Sequence, residues 1–451
     1  MLCREQHQLL YSSAQHFEIR GLAEPGLHQL IDQAVKEAGR ENKRACPLTP
    51  RLIVWLVIAM AMYRNISIVN VFGRLISLIQ LKSPKLSRRV VSEEALYHAR
   101  ARLGARPLKL LLKKLRCRQD IVASFRGLRV FGIDGTHFKV PDTPKNRALF
   151  KSHKSQHGPG SFPQMVGVFL MELSNRRIFD ACFMPCLQHE IKTMPYLVRN
   201  LGHGDLLLVD RGLSSRFTIG LCLQRGAHLL FRIKSNWKLL RISSLGIGDY
   251  LIKLPNRRGA PDIATLRLLE FRVGKSQNVV RLLTDLLDPV AYPRDELARL
   301  YHERWECEVG FREIKSEMLG QTGTKMQSHF RSKTPVGVLQ EAWGLAVAHS
   351  LIKDQMESAA TLVKKRPALL SFALCKDLIL ANLPRHQSAS PTKVLEYRKS
   401  MLKEVGASLI DRPRRKRQFA RVVKNRPLTF PMKRPSHRQM VLDDSISFVA
   451  A

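Results

Sequence analysis

The sequence predicts an α/β protein whose mixed sheet is preceded by a helical domain and interrupted by a β-rich insertion. Three features predict this class. Apolar residues recur at helical spacing from Leu52 to Ile79 and from Ala95 to Leu115. The period then shortens to that of strands, at Leu128, Val130, Phe131 and Ile133, in the runs Gln164 to Leu173 and Arg177 to Pro185, and at Leu206 to Val209. Finally, YLIKL at 250–254, TLRLLEF at 265–271 and VVRLLTDLL at 279–287 are β-type runs broken by the turns NRRGAPD and GKSQN.

Residues 1 to 125 read as helical and basic. Ser92 ahead of Glu93 and Glu94 caps one helix, Gly104 breaks it, and Pro107 opens the next. Helix, short glycine turn and helix with Arg and Lys outside is compatible with a DNA-binding fold. A plain bundle with a basic surface fits the same pattern. Asp134 follows the first strand and precedes Gly135 and Thr136, so a carboxylate is presented where the strand stops. A lone Asp before Gly is also an ordinary turn residue. Ser174, Asn175 and Arg176 join the next two strands as a hairpin, and an amphipathic helix is expected from about Glu190 to Leu201. Leu206 to Val209 is apolar throughout, as strands buried on both faces are, and leaves Asp210 at its carboxyl end, where α/β sheets bind ligands. A helix through Leu223 and a strand from His228 to Ile233 complete the core. Trp237, just beyond, reads either as a packing residue or as a platform for a base.

Composition narrows the partners. The 451 residues include 75 Lys and Arg against 37 Asp and Glu, a net charge of +38, and 45% are hydrophobic. Such a chain can bury real cores, and its charge calls for a polyanion, which points to nucleic acid. The most apolar run, Ile53 to Met62, is about half the ~20 residues needed to span a membrane and reads as a core helix. The opening MLCREQHQLLYSS lacks the pattern of a secretory signal, so a cytoplasmic location is expected. The eight cysteines are scattered without zinc-site spacing and read as reduced thiols. His137, His153 and His157 could be imagined as a ligand set, but the last two lie in the loop-like stretch KSHKSQHGPGS.

The stretch from Tyr301 to Lys315, YHERWECEVGFREIK, carries the sharpest signal. Read as one helix at ~100° per residue, it puts Tyr301, Arg304, Glu308 and Lys315 at roughly 0°, 300°, 340° and 320°, an arc of about 60°. Glu303, Glu306, Glu313 and Glu317 fall between about 120° and 200°, on the opposite, solvated side. Leu300, Cys307, Phe311 and Ile314 supply an apolar stripe. Glu308 is thereby singled out. A carboxylate among cations suits a site that holds a divalent metal while its neighbours grip phosphate, although a salt-bridged amphipathic helix gives the same pattern.

The spacing Tyr, two residues, Arg, three residues, Glu, six residues, Lys resembles the motif of the insertion-element-four family of bacterial DDE transposases. IDGT at 133–136, PDTPKN at 141–146, ALYHARARLG at 95–104 and the helix expected from Val338 to Ile352 resemble the family as well. The resemblance runs from about residue 50 to about 350. It implies an α/β, ribonuclease-H-like mixed-sheet catalytic core with a β-rich insertion and a helical N-terminal domain. The implied divisions are a DNA-binding domain at 1–125, core at 126–234 and 293–365, insertion at 235–292, and a C-terminal segment with basic tail at 366–451. Within 411–438 that tail has eleven Lys and Arg, four Pro and one Asp, and reads as an arm that drapes on DNA.

The resemblance further implies that Asp134, Asp210 and Glu308 are catalytic acids holding two Mg²⁺ ions, with Mn²⁺ able to substitute. Tyr301, Arg304 and Lys315 would position DNA phosphates. The implied reaction is cut-and-paste transposition: metal-dependent cleavage and strand transfer at the terminal inverted repeats of an element, by a homodimer bound to paired ends and to target DNA, in the bacterial cytoplasm in association with the nucleoid. Family members form a hairpin at the element end, a step these residues do not specify. Two other readings use the same residues: a ribonuclease-H-like nuclease without strand transfer, and a non-catalytic repressor derived from such an element. Retention of all three acids speaks against the repressor.

Overall fold

The computed structural model describes residues 2–22, 26–87, 91–116, 123–155, 158–160, 162–255, 264–274, 278–320, 330–410 and 446–448. The NRRGAPD turn, His157 and the basic stretch at 411–438 lie outside the described residues. Helices α1 (Leu2–Gln15), α2 (Leu27–Glu37), α3 (Pro50–Met62), α4 (Ile68–Gln80), α5 (Glu93–Leu103) and α6 (Arg106–Arg116) come first. Their starts are local in origin. Thr49, Ser67 and Ser92 each accept a hydrogen bond from the backbone N–H three residues on, at Leu52, Asn70 and Ala95, which satisfies a donor the helix itself cannot. Gly104 ends α5 at a φ of 66°, where a side chain would be strained.

The chain continues as β1 (Arg129–Lys139), α7 (Pro144–Phe150), β2 (Lys154–Ser155), β3 (Gly158–Pro159), β4 (Gln164–Glu172), β5 (Arg177–Pro185), α8 (Met194–Val198), β6 (Asp205–Val209), α9 (Arg216–Gln224) and β7 (His228–Arg232). Four further strands follow: β8 (Leu240–Gly246), β9 (Asp249–Leu254), β10 (Ala264–Val273) and β11 (Val280–Thr284). Then come α10 (Arg294–His302), α11 (Trp305–Arg312), a π-helical turn at Glu313–Met318, and α12 (Pro335–Leu362), α13 (Phe372–Ser388) and α14 (Pro391–Ala407). A last strand, β12 (Ile446–Phe448), pairs with β10.

The expected hairpin and apolar strands appear in their expected places. Two details differ, and one stretch gains a structure. The strand begun at Leu128 does not stop at Asp134 but runs to Lys139, because Thr136 and Phe138 keep one face buried in the period of a strand. The helix expected over 190–201 is a 3₁₀ turn at Glu190–Thr193 followed by the short α8, with Pro195 in its first turn. PDTPKN is a helix start, with Thr143 accepting from the Asn146 N–H and Pro144 at the first position of α7.

The chain forms two compact units. The first comprises Met1–Ile121, Gly135–His189 and Val309–Leu409; the second comprises Val122–Asp134, Glu190–Glu308 and Ile410–Ala451. The first is organised around α3 and α12. Every residue from Leu52 to Met62 is buried, which is why that apolar run shows no amphipathic period. α12 crosses α3 at Gly344, where an added Cβ would lie 2.5 Å from Val57 Cγ1. Phe138, Phe169, Phe183, Phe330 and Trp343 make edge-on and tilted ring contacts that join the β4–β5 hairpin to α12.

The second unit is a twisted mixed sheet. The first half of β1 runs parallel to β6, from Arg129↔Asp205 to Ile133↔Val209, and β6 runs parallel to β7. β11, β10, β9 and β8 then extend the sheet antiparallel from β7. Buried Arg267 of β10 donates to both Asp249 oxygens, at 2.8 and 2.6 Å, and to the Tyr292 carbonyl at 2.7 Å. This two-pronged pair ties the antiparallel strands to the residues that lead into α10. Among the described residues no helix is long and apolar enough to cross a membrane.

Candidate active site

The parallel ladder of β1 and β6 ends at Ile133↔Val209, so the next residue on each strand, Asp134 and Asp210, leaves the last paired position side by side. On β7 the corresponding position is Arg232, since Val209 pairs with Phe231. Three adjacent strands thus present two acids and a guanidinium one residue past their last shared pairing, at the edge where such sheets bind ligands.

Tyr301 and Arg304 come from α10 and the turn that follows it. Tyr301 donates its hydroxyl to Asp210 Oδ1 at 3.3 Å, and Arg304 Nη1 lies 2.9 Å from Asp134 Oδ2. The single helix expected from Tyr301 to Lys315 is broken here. α10 ends at His302, the Arg304 and Cys307 N–H groups reach back three residues to Tyr301 and Arg304, and α11 begins at Trp305. The break turns Arg304 onto Asp134 while α11 carries Glu308 to the same carboxylates.

Electrostatics link these groups. Burial, then the charges of Asp134 and Asp210, raise the Glu308 pKa against the partial relief given by Arg304. Burial, then Asp210, pushes the Tyr301 phenol far up, so it stays protonated and donates. Burial opposes the Arg304 charge, yet Tyr301, Asp134 and Asp210 outweigh it and hold the guanidinium above its ordinary range. Cys307 is buried beside them, and burial followed by the Asp134 charge keeps it a thiol.

The structure brings five of the six candidate residues, Asp134, Asp210, Tyr301, Arg304 and Glu308, into one unit and within mutual electrostatic reach. Lys315 belongs to the other compact unit. There its ammonium lies 5.7 Å from the centroid of the Phe138 ring, and burial lowers its pKa. The solvated side assigned to Glu313 is a second correction. Glu313 is 4% exposed and pairs with Arg176 and Lys353, because the π-helical turn rotates it inward. Arg232 escaped notice in the sequence, although HLLFR ends as LLLVD does: an apolar strand closed by one charged residue. Trp237 carries the Arg216 guanidinium 5.0 Å above its ring. Among the described residues no three His, Cys, Asp or Glu side chains stand close enough to ligate one metal ion.

Two acids one residue past a shared parallel ladder and a third on a later helix make up a candidate site of the kind the resemblance implies for a ribonuclease-H-like core. Residues 126–351 match the family model described as transposase DDE domain, and residues 17–113 match that described as insertion element 4 transposase N-terminal. The chain belongs to the insertion element 4 family of DDE transposases, enzymes that cleave DNA and transfer its strands and that generally use divalent metals. It is 31% identical over 416 residues to the transposase InsG for insertion sequence element IS4 of Escherichia coli (strain K12), across 89% of this chain and 91% of that protein. It is 23% identical over 204 residues to the putative transposase InsZ of the same strain, across 44% of this chain and 65% of that protein. Among solved structures, the piggyBac transposase synaptic complex with hairpin DNA aligns over 96% of this chain and 88% of that one, at 12% identity and a TM-score of 0.42.

Proposed function

We propose that the protein excises and inserts its own element, with Asp134, Asp210 and Glu308 as the catalytic acids. The observation that supports this most is the shared end of the β1–β6 ladder, with Glu308 close enough for both aspartates to raise its pKa. The donor set fits a hard divalent cation, since all three groups offer carboxylate oxygens and repel one another. Asp134 is held by Arg304 and Asp210 by Tyr301, so the fit lies in donor chemistry and surplus charge. When bound, two Mg²⁺ ions, or Mn²⁺ in their place, supply activation of the attacking oxygen and stabilisation of the leaving one in an in-line displacement.

The remaining roles fall to the chain itself. Tyr301, kept protonated, fixes the orientation of Asp210. Arg304 neutralises Asp134 and still has N–H groups to offer a DNA phosphate; Lys315 serves a phosphate as a point charge. The substrate is double-stranded DNA, the terminal inverted repeats and the target, held by a homodimer on paired ends. The domain divisions set out above and an association with the nucleoid belong to the same reading. A labelled duplex bearing the element end tests it: in Mg²⁺ the purified protein should both nick the end and join it to a second duplex. Cleavage without joined product would leave the nuclease reading, and binding without cleavage the repressor.

A further inference from the structure

β1 runs on past Asp134, and three residues further along it, in the first compact unit, stands His137. Its Nδ1 lies 3.4 Å from Nε2 of His153, and the two rings are 5.0 Å apart between centroids at a tilt of 51°. Both side chains are exposed. The groups that face His137 are His153 from the segment before β2, Lys315 from the π-helical turn, and Gln164 of β4, which hydrogen-bonds to it. No carboxylate is among them, and among the described residues Lys315 has no acidic partner; its ammonium rests on the Phe138 ring.

Two imidazoles in hydrogen-bond contact, with an ammonium beside them and no carboxylate among the groups that face His137, leave a place where a proton taken up adds uncompensated positive charge. A phosphate oxygen would compensate that charge and the charge of the Lys315 ammonium. We propose that His137 and His153 form, with Lys315, a phosphate-binding cluster that engages the DNA backbone. This rests on the reading of Lys315 as a phosphate contact and deepens it: the cluster gains charge when His137 takes up a proton, so its grip strengthens as pH falls below the ordinary imidazole range. Phosphodiesters keep their charge across that range, so the pH dependence belongs to the protein. Burial, His153 and Lys315 each disfavour the protonated ring of His137, and a bound anion offsets the two charge effects.

The test uses the full-length protein and an element-end duplex without metal. Binding is followed over a salt series at pH 6 and pH 8. For the wild type the slope of log K against log[salt] should steepen by roughly one unit at pH 6, the signature of one more neutralised phosphate. In His137→Gln, His153→Gln and the double variant the slopes at the two pH values should coincide. Equal slopes in the wild type, or an unchanged pH difference in the double variant, would overturn the cluster. Lys315→Ala separates the two readings. If it alone flattens the slope, Lys315 stands and the histidines fall; if only the histidine variants respond, the histidine site stands and the Lys315 assignment falls. Histidine ring-proton titrations distinguish the source of the anion. An upward shift of the His137 midpoint with duplex assigns the DNA backbone. A shift with inorganic phosphate but none with duplex would overturn that assignment in favour of a free-phosphate site.

Discussion

Two acid clusters, one in each compact unit, treat charge in opposite ways. Around Glu313 one carboxylate meets Arg176 at 2.7 Å, Lys353 at 2.7 Å and His349 at 3.3 Å, all of them buried. Burial alone would raise the Glu313 pKa, but Lys353 and Arg176 overcome it and hold the carboxyl far below its ordinary value. Burial also brings Lys353 down to about 8, against the pull of Glu313. Around Asp134, by contrast, Arg304 pairs with one of three carboxylates that lie within electrostatic reach, and the Glu308 pKa moves up. A network that balances its charges is complete as structure. One left with surplus negative charge is a candidate ligand site, because perturbed carboxylates cluster where function does.

The largest effects should come from breaking the unbalanced cluster. Asp134→Asn, Asp210→Asn and Glu308→Gln each remove a carboxylate charge with almost no change in volume. Each is expected to abolish cleavage of a labelled element end while leaving end binding and the melting temperature near wild type. Near-normal cleavage in Mg²⁺ by any one of them would remove that residue from the site.

The balanced cluster should respond in the reverse manner. Glu313→Ala leaves Lys353 and Arg176 buried without their acid and should cost about 3–5 kcal/mol of stability, read as a shifted denaturant midpoint. Glu303→Gln, Glu306→Gln and Glu317→Gln should stay within about ±0.5 kcal/mol. The pH dependence follows from the direction of the shift. A carboxylate depressed in the folded state contributes stability above its unfolded value of 4.5 and loses it as pH falls below that value. Wild-type protein should therefore weaken below about pH 4.5 more steeply than Glu313→Gln. Parallel acid-denaturation curves for the two would mean that Glu313 is not the paired acid.

The difference between these clusters also marks what the sequence could convey. Asp134 and Asp210 stood out as candidates because each follows an apolar strand run, although β1 continues through Asp134 to Lys139. Glu308 was legible from spacing, but for a partly inexact reason. The wheel assumed one regular helix, whereas the chain tightens at Arg304 and widens into a π turn at Glu313. Over the few residues from Tyr301 to Glu308 the error is small, and all three residues of that arc reach the aspartates. By Glu313 it has accumulated into a rotation from solvent to interior. Nothing local announces that rotation, because the partners that reward it, Arg176 on the hairpin turn and Lys353 on α12, are distant in sequence. Arg232 went unread since a single Arg after an apolar strand has no motif; only the register with β6 gives it meaning.

The smallest expected effects concern the cations, and they decide whether Arg304 belongs to the unbalanced site as a counter-ion alone or also as a contact to DNA. Its pair with Asp134 is partly open, with side chains 12% and 23% exposed. If that pair is its whole role, Arg304→Ala should lower stability by about 0–1 kcal/mol and leave salt dependence untouched. If it also meets a phosphate, the slope of log K against log[salt] for end binding should flatten by roughly one unit, and Lys315→Ala should flatten it by a similar amount. The measurement is best made without metal, because losing Arg304 has opposing consequences for a cation: it removes a competitor for Asp134 and removes the charge that offsets the rise in the Glu308 pKa. Arg304→Lys sharpens the result. A lysine keeps the charge but not the planar fork, so a slope restored without restored cleavage would assign Arg304 a geometric task at the phosphate. A melting temperature lowered by several degrees with an unaltered slope would reduce Arg304 to the counter-charge of Asp134.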